Sequence, residues 1–111
     1  MKKLILALLL LGSSLANATE IKFFAIENSE THAIEFESGY ISVGTEYISL
    51  KFQDWTWDYH RILRVQEKNN RWVFFLYSVT HDRYATLIIS KSQPRAYYVT
   101  DEIEFTFYLR Q

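Results

Sequence analysis

The chain predicts an all-β fold, a single small antiparallel meander of eight or nine strands closed into a calycin-like barrel or a two-layer roll. Three observations carry that expectation. Runs that alternate apolar or aromatic residues with polar ones recur about every ten residues. Short polar connections separate the runs, and none sustains a helical period for more than about two turns. So many strands in so few residues would expose flat edges unless the sheet curls and closes on itself.

The N-terminal residues fall outside that pattern. Met1-Lys2-Lys3 precedes an apolar run from Leu4 to Leu11, then Gly12-Ser13-Ser14 and the small-residue site Ala16-Asn17-Ala18. A basic start, a short apolar stretch and small residues before a cleavage point read as a secretory signal peptide. The run is shorter than the roughly 20 residues a bilayer span needs. Cleavage after Ala18 would leave one β domain, residues 19–111, with no membrane span, in the periplasm or secreted from a bacterial cell. The sequence has no Cys. Disulfides, a lipid anchor at the cleavage point and thiolate metal sites are therefore excluded, and stability has to come from packing. Eight Phe, eight Tyr and three Trp supply the apolar area for it.

The first strand is expected from Glu20 to Glu27, with Ile21, Phe23 and Ala25 on one face, followed by a polar loop from Asn28 to His32. Ala33 to Glu37 reads as a second strand with Ile34 and Phe36 inward, and Ser38-Gly39 as a turn before Tyr40 to Val43. Glu46 to Phe52 alternates most cleanly, Ile48, Leu50 and Phe52 against Tyr47, Ser49 and Lys51, so one face meets water. Gln53 to His60 is open to two readings. Asp54 can cap a short helix that places Trp55, Tyr59, Ile62 and Leu63 at helical spacing. The strand reading instead puts Trp55, Trp57 and Tyr59 on the parity of Leu63 and Val65, and a bulge near Asp58 would reverse it.

Arg71 to Val79 (Arg-Trp-Val-Phe-Phe-Leu-Tyr-Ser-Val) is the expected central strand, apolar or aromatic on both faces. Before it, Asn69-Asn70 suits a two-residue hairpin with positive φ, pairing Lys68 with Arg71, Val65 with Phe74 and Leu63 with Leu76. After it, a two-residue loop at His81-Asp82 would pair Ser78 with Ala85, Leu76 with Leu87 and Phe74 with Ile89. Pro94 marks a turn over Lys91 to Arg95, Ala96 to Thr100 is a short strand, and Ile103, Phe105, Phe107 and Leu109 line the last one. The expected core is Phe23, Ile48, Leu50, Leu63, Val65, Phe74, Leu76, Leu87, Ile89 and Phe105.

Charge bounds the partners. Without residues 1–18 the chain carries ten basic and thirteen acidic residues, a net charge of −3, which argues against nucleic acid. The distribution is uneven, with eight acids and two bases in Thr19 to Asp58 and five acids and eight bases in Tyr59 to Gln111. Interleaved strands would mix these charges over a solvated surface, whereas segregation would make a dipolar binding surface.

Candidate chemistry is sparse. No Gly-x-Ser-x-Gly elbow, Gly-rich phosphate loop or paired-His metal motif occurs, and no cofactor is expected. A small hydrolase or metal-dependent enzyme would have to use His60, His81 and Asp58, since imidazole and carboxylate are suitable ligands. The better-supported expectation is a non-catalytic binding module. Trp55, Trp57 and Tyr59 would offer rings to a protein, a glycan or a small apolar ligand, and Asp54 and Asp58 would hydrogen-bond its hydroxyls. Core packing of the same rings is the competing role. In size, export signal and meander the chain resembles the small calycin-type barrels, which include lipocalins and some bacterial periplasmic inhibitors of lysozyme. That likeness implies a closed barrel and carries over no functional residue, because the lipocalin Gly-x-Trp opening and the inhibitors' cysteines are missing here.

Overall fold

The computed structural model describes residues 19–110, so the expected signal peptide at 1–18 lies outside the described residues. Those residues form nine strands and no helix: β1 (Thr19–Asn28), β2 (Ile34–Glu35), β3 (Gly39–Val43), β4 (Tyr47–Lys51), β5 (Trp57–Lys68), β6 (Arg71–Ser78), β7 (Arg83–Ser90), β8 (Arg95–Val99) and β9 (Glu104–Leu109). From β3 onward each strand pairs antiparallel with the next, and β9 returns to β1, closing eight strands into a barrel. Closure removes most of the free edges that an open meander would leave. β1 serves both sides of the seam, with Thr19–Phe23 on β3 and Phe23–Asn28 on β9. β2 is a two-residue addition to the far end of β1.

The interior is filled by inward side chains from every barrel strand. Phe23, Phe107, Ile41, Ile48, Leu50, Leu76, Leu87, Ile89 and Val43 are all but fully buried, and His60 and Ser78 lie among them. Eight strands enclose a space about wide enough for such a filling. Phe23 sits at the seam, tilted on Phe107 with ring centroids 4.9 Å apart and edge-on to Phe52 at 6.2 Å. Its ring passes directly over Gly39, where an added Cβ would lie 2.3 Å from the ring and 2.2 Å from the Lys51 carbonyl oxygen.

The Asn69-Asn70 hairpin forms as expected, with φ of 52° and 62°, and pairs Lys68 with Arg71, Gln66 with Val73, Val65 with Phe74 and Arg64 with Phe75. Three expectations are corrected. The β6–β7 connection is not a two-residue loop: Ser78 pairs with Arg83, Leu76 with Ala85 and Phe74 with Leu87. Of Val79 to Asp82, Asp82 alone takes positive φ, at 52°, so the turn closes over four residues. That slip of two keeps the same faces inward.

The second correction changes the surface. Between Ile62 and Arg64 the β5–β6 register shifts, so Ile62, and not Leu63, faces Leu76. Leu63 is 51 % exposed and Val65 45 %, so neither belongs to the core. Val65 keeps its inward parity opposite Phe74, but β4 ends at Tyr47 opposite Arg61, and the rest of β5 overhangs the barrel with no partner strand on that side among the described residues. The third correction is β2, which is shorter than expected and leaves Ile34 and Phe36 exposed. Phe105 is only partly buried against the core.

Two stability predictions follow from this packing. Leu76→Ala should destabilise by about 2–5 kcal/mol, the range for a buried Leu, and Leu63→Ala by under about 1 kcal/mol, as for an exposed site. Urea denaturation of both variants checks the pair, and equal shifts would contradict the bulge. Gly39→Ala should cost about 1–3 kcal/mol by overpacking, read from the same experiment.

Candidate binding surface and the polar cluster behind it

The register shift in β5 sorts its N-terminal half into two chemistries. Asp58 and His60 turn inward opposite Leu50 and Ile48, while Trp57 and Tyr59 turn outward opposite Lys51 and Ser49. The two outward rings stack on each other, with centroids 5.8 Å apart and planes 12° from parallel. The rings expected inside on parity are therefore on the surface.

Trp55 joins them from the β4–β5 turn. Asp54 accepts hydrogen bonds from the Thr56 amide (3.1 Å) and hydroxyl (2.6 Å), and the Trp55 amide donates to the Phe52 carbonyl at 3.0 Å. These bonds hold Trp55 at φ 69°, a left-handed conformation that is costly for a bulky residue. The Thr56 hydroxyl is the main reason the Asp54 carboxyl is held below its ordinary pKa. Asp54 thus builds the turn that displays the indole, and Trp55 is 75 % exposed.

Lys51 lies in the middle of these rings. Its Nζ is 4.1 Å from the Trp55 centroid, 5.0 Å from Trp57 and 5.7 Å from Tyr40, all within cation–π range. The pairings Lys22 with Tyr40, Tyr40 with Lys51 and Lys51 with Trp57 make one outward row across β1, β3, β4 and β5. Cations and aromatic rings alternate along it. Beside Trp55 a cleft of about 340 Å³ is lined by Lys22, Tyr40, Lys51, Trp55 and Arg110, with Phe23, Phe52, Gly39, Ser38 and Gln53 completing it.

Behind this surface the inward groups make a polar cluster. The Ser78 hydroxyl donates to Asp58 Oδ1 at 3.0 Å, and Nε2 of His60 lies 3.6 Å from the same oxygen. Nε2 of His81 lies 3.5 Å from Asp58 Oδ2. His60 Nε2 and the Tyr98 hydroxyl share a 2.7 Å hydrogen bond, and His60 Nδ1 has no hydrogen-bond partner among the described residues. Burial pushes the His60 pKa below its ordinary value, against the Asp58 carboxylate, which acts to raise it. Burial also raises Tyr98, with Asp58 adding to the effect.

Of the ligand-binding candidates Trp55, Trp57, Tyr59, Asp54 and Asp58, the structure gathers the three rings on one outer surface. Asp54 is committed to its turn, and Asp58 lies on the opposite face of β5. The residues of the metal alternative, His60, His81 and Asp58, do converge, although His60 comes from a strand and not a loop. Among the described residues no group of three His, Cys, Asp or Glu is arranged to hold a metal ion. Lys22, Tyr40, Lys51, Arg110, Ser78 and Tyr98 join the site without a signature motif in the sequence. One signal pointed to the lysines: Lys22 and Lys51 are the two bases in the acid-rich stretch from Thr19 to Asp58.

His60 makes stability depend on pH with a definite sign. The folded state keeps it neutral below its ordinary value, while the unfolded chain takes up the proton near pH 6.5. In the window just below that pH the unfolded state binds more protons, so stability falls as pH drops from about 6.5 toward the depressed folded value. His60→Gln should flatten this part of the profile, as read from urea midpoints between pH 5 and 8 compared with the parent protein. If the slope is unchanged, His60 is not the group responsible.

Comparison with family models, with curated proteins and with solved structures finds no match to this chain. What the surface can do is therefore read from its own residues.

Proposed function

We propose that this protein is an exported, non-catalytic binding module that recognises a glycan or a protein through the outer face of β4 and β5. The observation that carries this reading is the exposure of Trp55, Trp57 and Tyr59 on one surface around Lys51. Each ring left partly in water forgoes about 25 cal/mol for every Å² of apolar surface it leaves exposed. Trp and Tyr also dominate the energetic centres of recognition surfaces. The filled interior argues against the remaining option of a small apolar ligand held inside the barrel. Export rests on the charge and hydropathy pattern of residues 1–18.

A second reading, a hydrolase or metal-dependent enzyme, is favoured by one observation, the convergence of His60 and His81 on the Asp58 carboxylate. Against it, Ser78 is fully buried and already donates to Asp58, and the Tyr98 hydroxyl occupies His60 Nε2.

Tryptophan emission separates the readings, because Trp55 and Trp57 are exposed and Trp72 is buried. Titration with oligosaccharides, peptides, fatty acids and zinc should give a saturable signal with a sugar or peptide. Trp57→Ala with Tyr59→Ala should weaken that binding by about tenfold or more, as for a central aromatic contact, with the unfolding midpoint little changed. A zinc signal at micromolar affinity, lost in His60→Ala or His81→Ala, would overturn the non-catalytic reading. N-terminal sequencing of protein from the native host should begin at Thr19, and an intact Met1 would remove the export proposal.

A further inference from the structure

We propose that the cleft beside Trp55 holds an acidic sugar unit, its carboxylate or sulfate bound by Lys22, Lys51 and Arg110; this deepens the surface-recognition reading and rests on it. Among the described residues the lining carries three cations and no carboxylate. That is against the trend of the chain, since Thr19 to Asp58 has eight acids and two bases, and both of those bases, Lys22 and Lys51, line the cleft. Among the described residues none of the three cations is in an ion pair. The acids of the adjoining turns are engaged in hydrogen bonds of their own: Glu37 accepts the Gln53 amide at 3.1 Å, and Asp54 accepts Thr56.

The lysines are also positioned. Lys51 is held by three rings and Lys22 lies over Tyr40 at 6.0 Å. A ring face attracts an ammonium group without neutralising it. Each lysine therefore keeps its net charge and N–H donors for an arriving anion, with part of its side-chain freedom already lost. Arg110 adds a planar fork suited to carboxylate or sulfate.

Size and walls argue for a sugar. A volume of about 340 Å³ is at the small end of ligand sites, enough for one ring-sized unit. Tyr40 and Trp55 flank the charges, so the occupant needs an apolar ring face beside its anionic group. An acidic peptide would gain most by pairing with a free strand edge, but Lys22, Tyr40 and Lys51 belong to strand segments already paired with their neighbours.

The test is calorimetric titration of the folded protein with four probes: tetragalacturonate, a heparin-derived tetrasaccharide, neutral maltotetraose and tetraglutamate. At low salt at least one acidic sugar should bind about tenfold or more tightly than maltotetraose, the worth of one charge-assisted hydrogen bond. The preference should fade by about 0.5 M salt. Lys51→Gln, and separately Arg110→Gln, should weaken the acidic sugar about tenfold and so remove its advantage over maltotetraose. Maltotetraose binding as tightly as both acidic sugars, with dependence on Trp57, overturns the proposal and leaves the surface-recognition reading standing. Tetraglutamate binding more tightly than either sugar overturns it in favour of a peptide. Absence of binding by all four probes also overturns it. Acidic-sugar binding that is sensitive to Lys51→Gln but indifferent to Trp57→Ala with Tyr59→Ala supports the anion site and removes the stacked rings from recognition.

Discussion

Leu63 has no partner in the β5–β6 ladder, and this single unpaired residue decides which side chains of β5 meet water. The hairpin at Asn69-Asn70 fixes the strand from Lys68 back to Arg64, and the barrel wall fixes it again from Ile62 to Trp57 against β4. The two registers differ in parity, and a bulge is the way an antiparallel pair absorbs such a difference. It sits where β5 leaves the end of β4, the place where the strand is free to bend. Without it, Trp57 and Tyr59 would point into a barrel already filled by Phe23, Phe107 and the aliphatic residues around them. A close-packed interior does not absorb two more large rings.

The same bulge brings a cost that the interior has to offset. Asp58 and His60 enter the core, where an unpaired charge or polar group is expensive. Asp58 is met by the Ser78 hydroxyl and two imidazoles, and His60 by Tyr98. These contacts also tie β5 to the β6–β7 turn. Val79 donates its amide to the Tyr59 carbonyl, Tyr59 donates its own to Thr80 Oγ1, and the His81 amide donates to Ser78 Oγ. The outward Tyr59 ring thus stands on backbone whose amide and carbonyl are both tied to the β6–β7 turn, which suits a rigid recognition surface.

Charge follows the barrel and not the chain. Lys22 and Lys51 are separated by a long stretch of sequence rich in acids, yet the order β1-β3-β4 places them on either side of Tyr40. Elsewhere basic groups meet acids, within the second half where Arg83 meets Glu102 and Lys91 meets Glu67, and between the halves where His81 lies against Asp58. The cleft is the exception, with its cations faced by aromatic rings.

By itself the sequence determined the strand class, the antiparallel meander, the Asn69-Asn70 turn and the inward face of β6 and β7. Each of these rests on local alternation or local turn chemistry, and an error of two residues at the β6–β7 turn left every facing intact. Only the tertiary structure decided the facing of Trp57, Tyr59, Asp58 and His60, because a one-residue bulge reverses parity and Leu63 looks like any other core-forming leucine. It alone also decided the cleft. Lys22, Tyr40, Lys51 and Arg110 come from four separate parts of the chain, and their adjacency follows from strand order and barrel closure, which depend on how the whole sheet twists and closes.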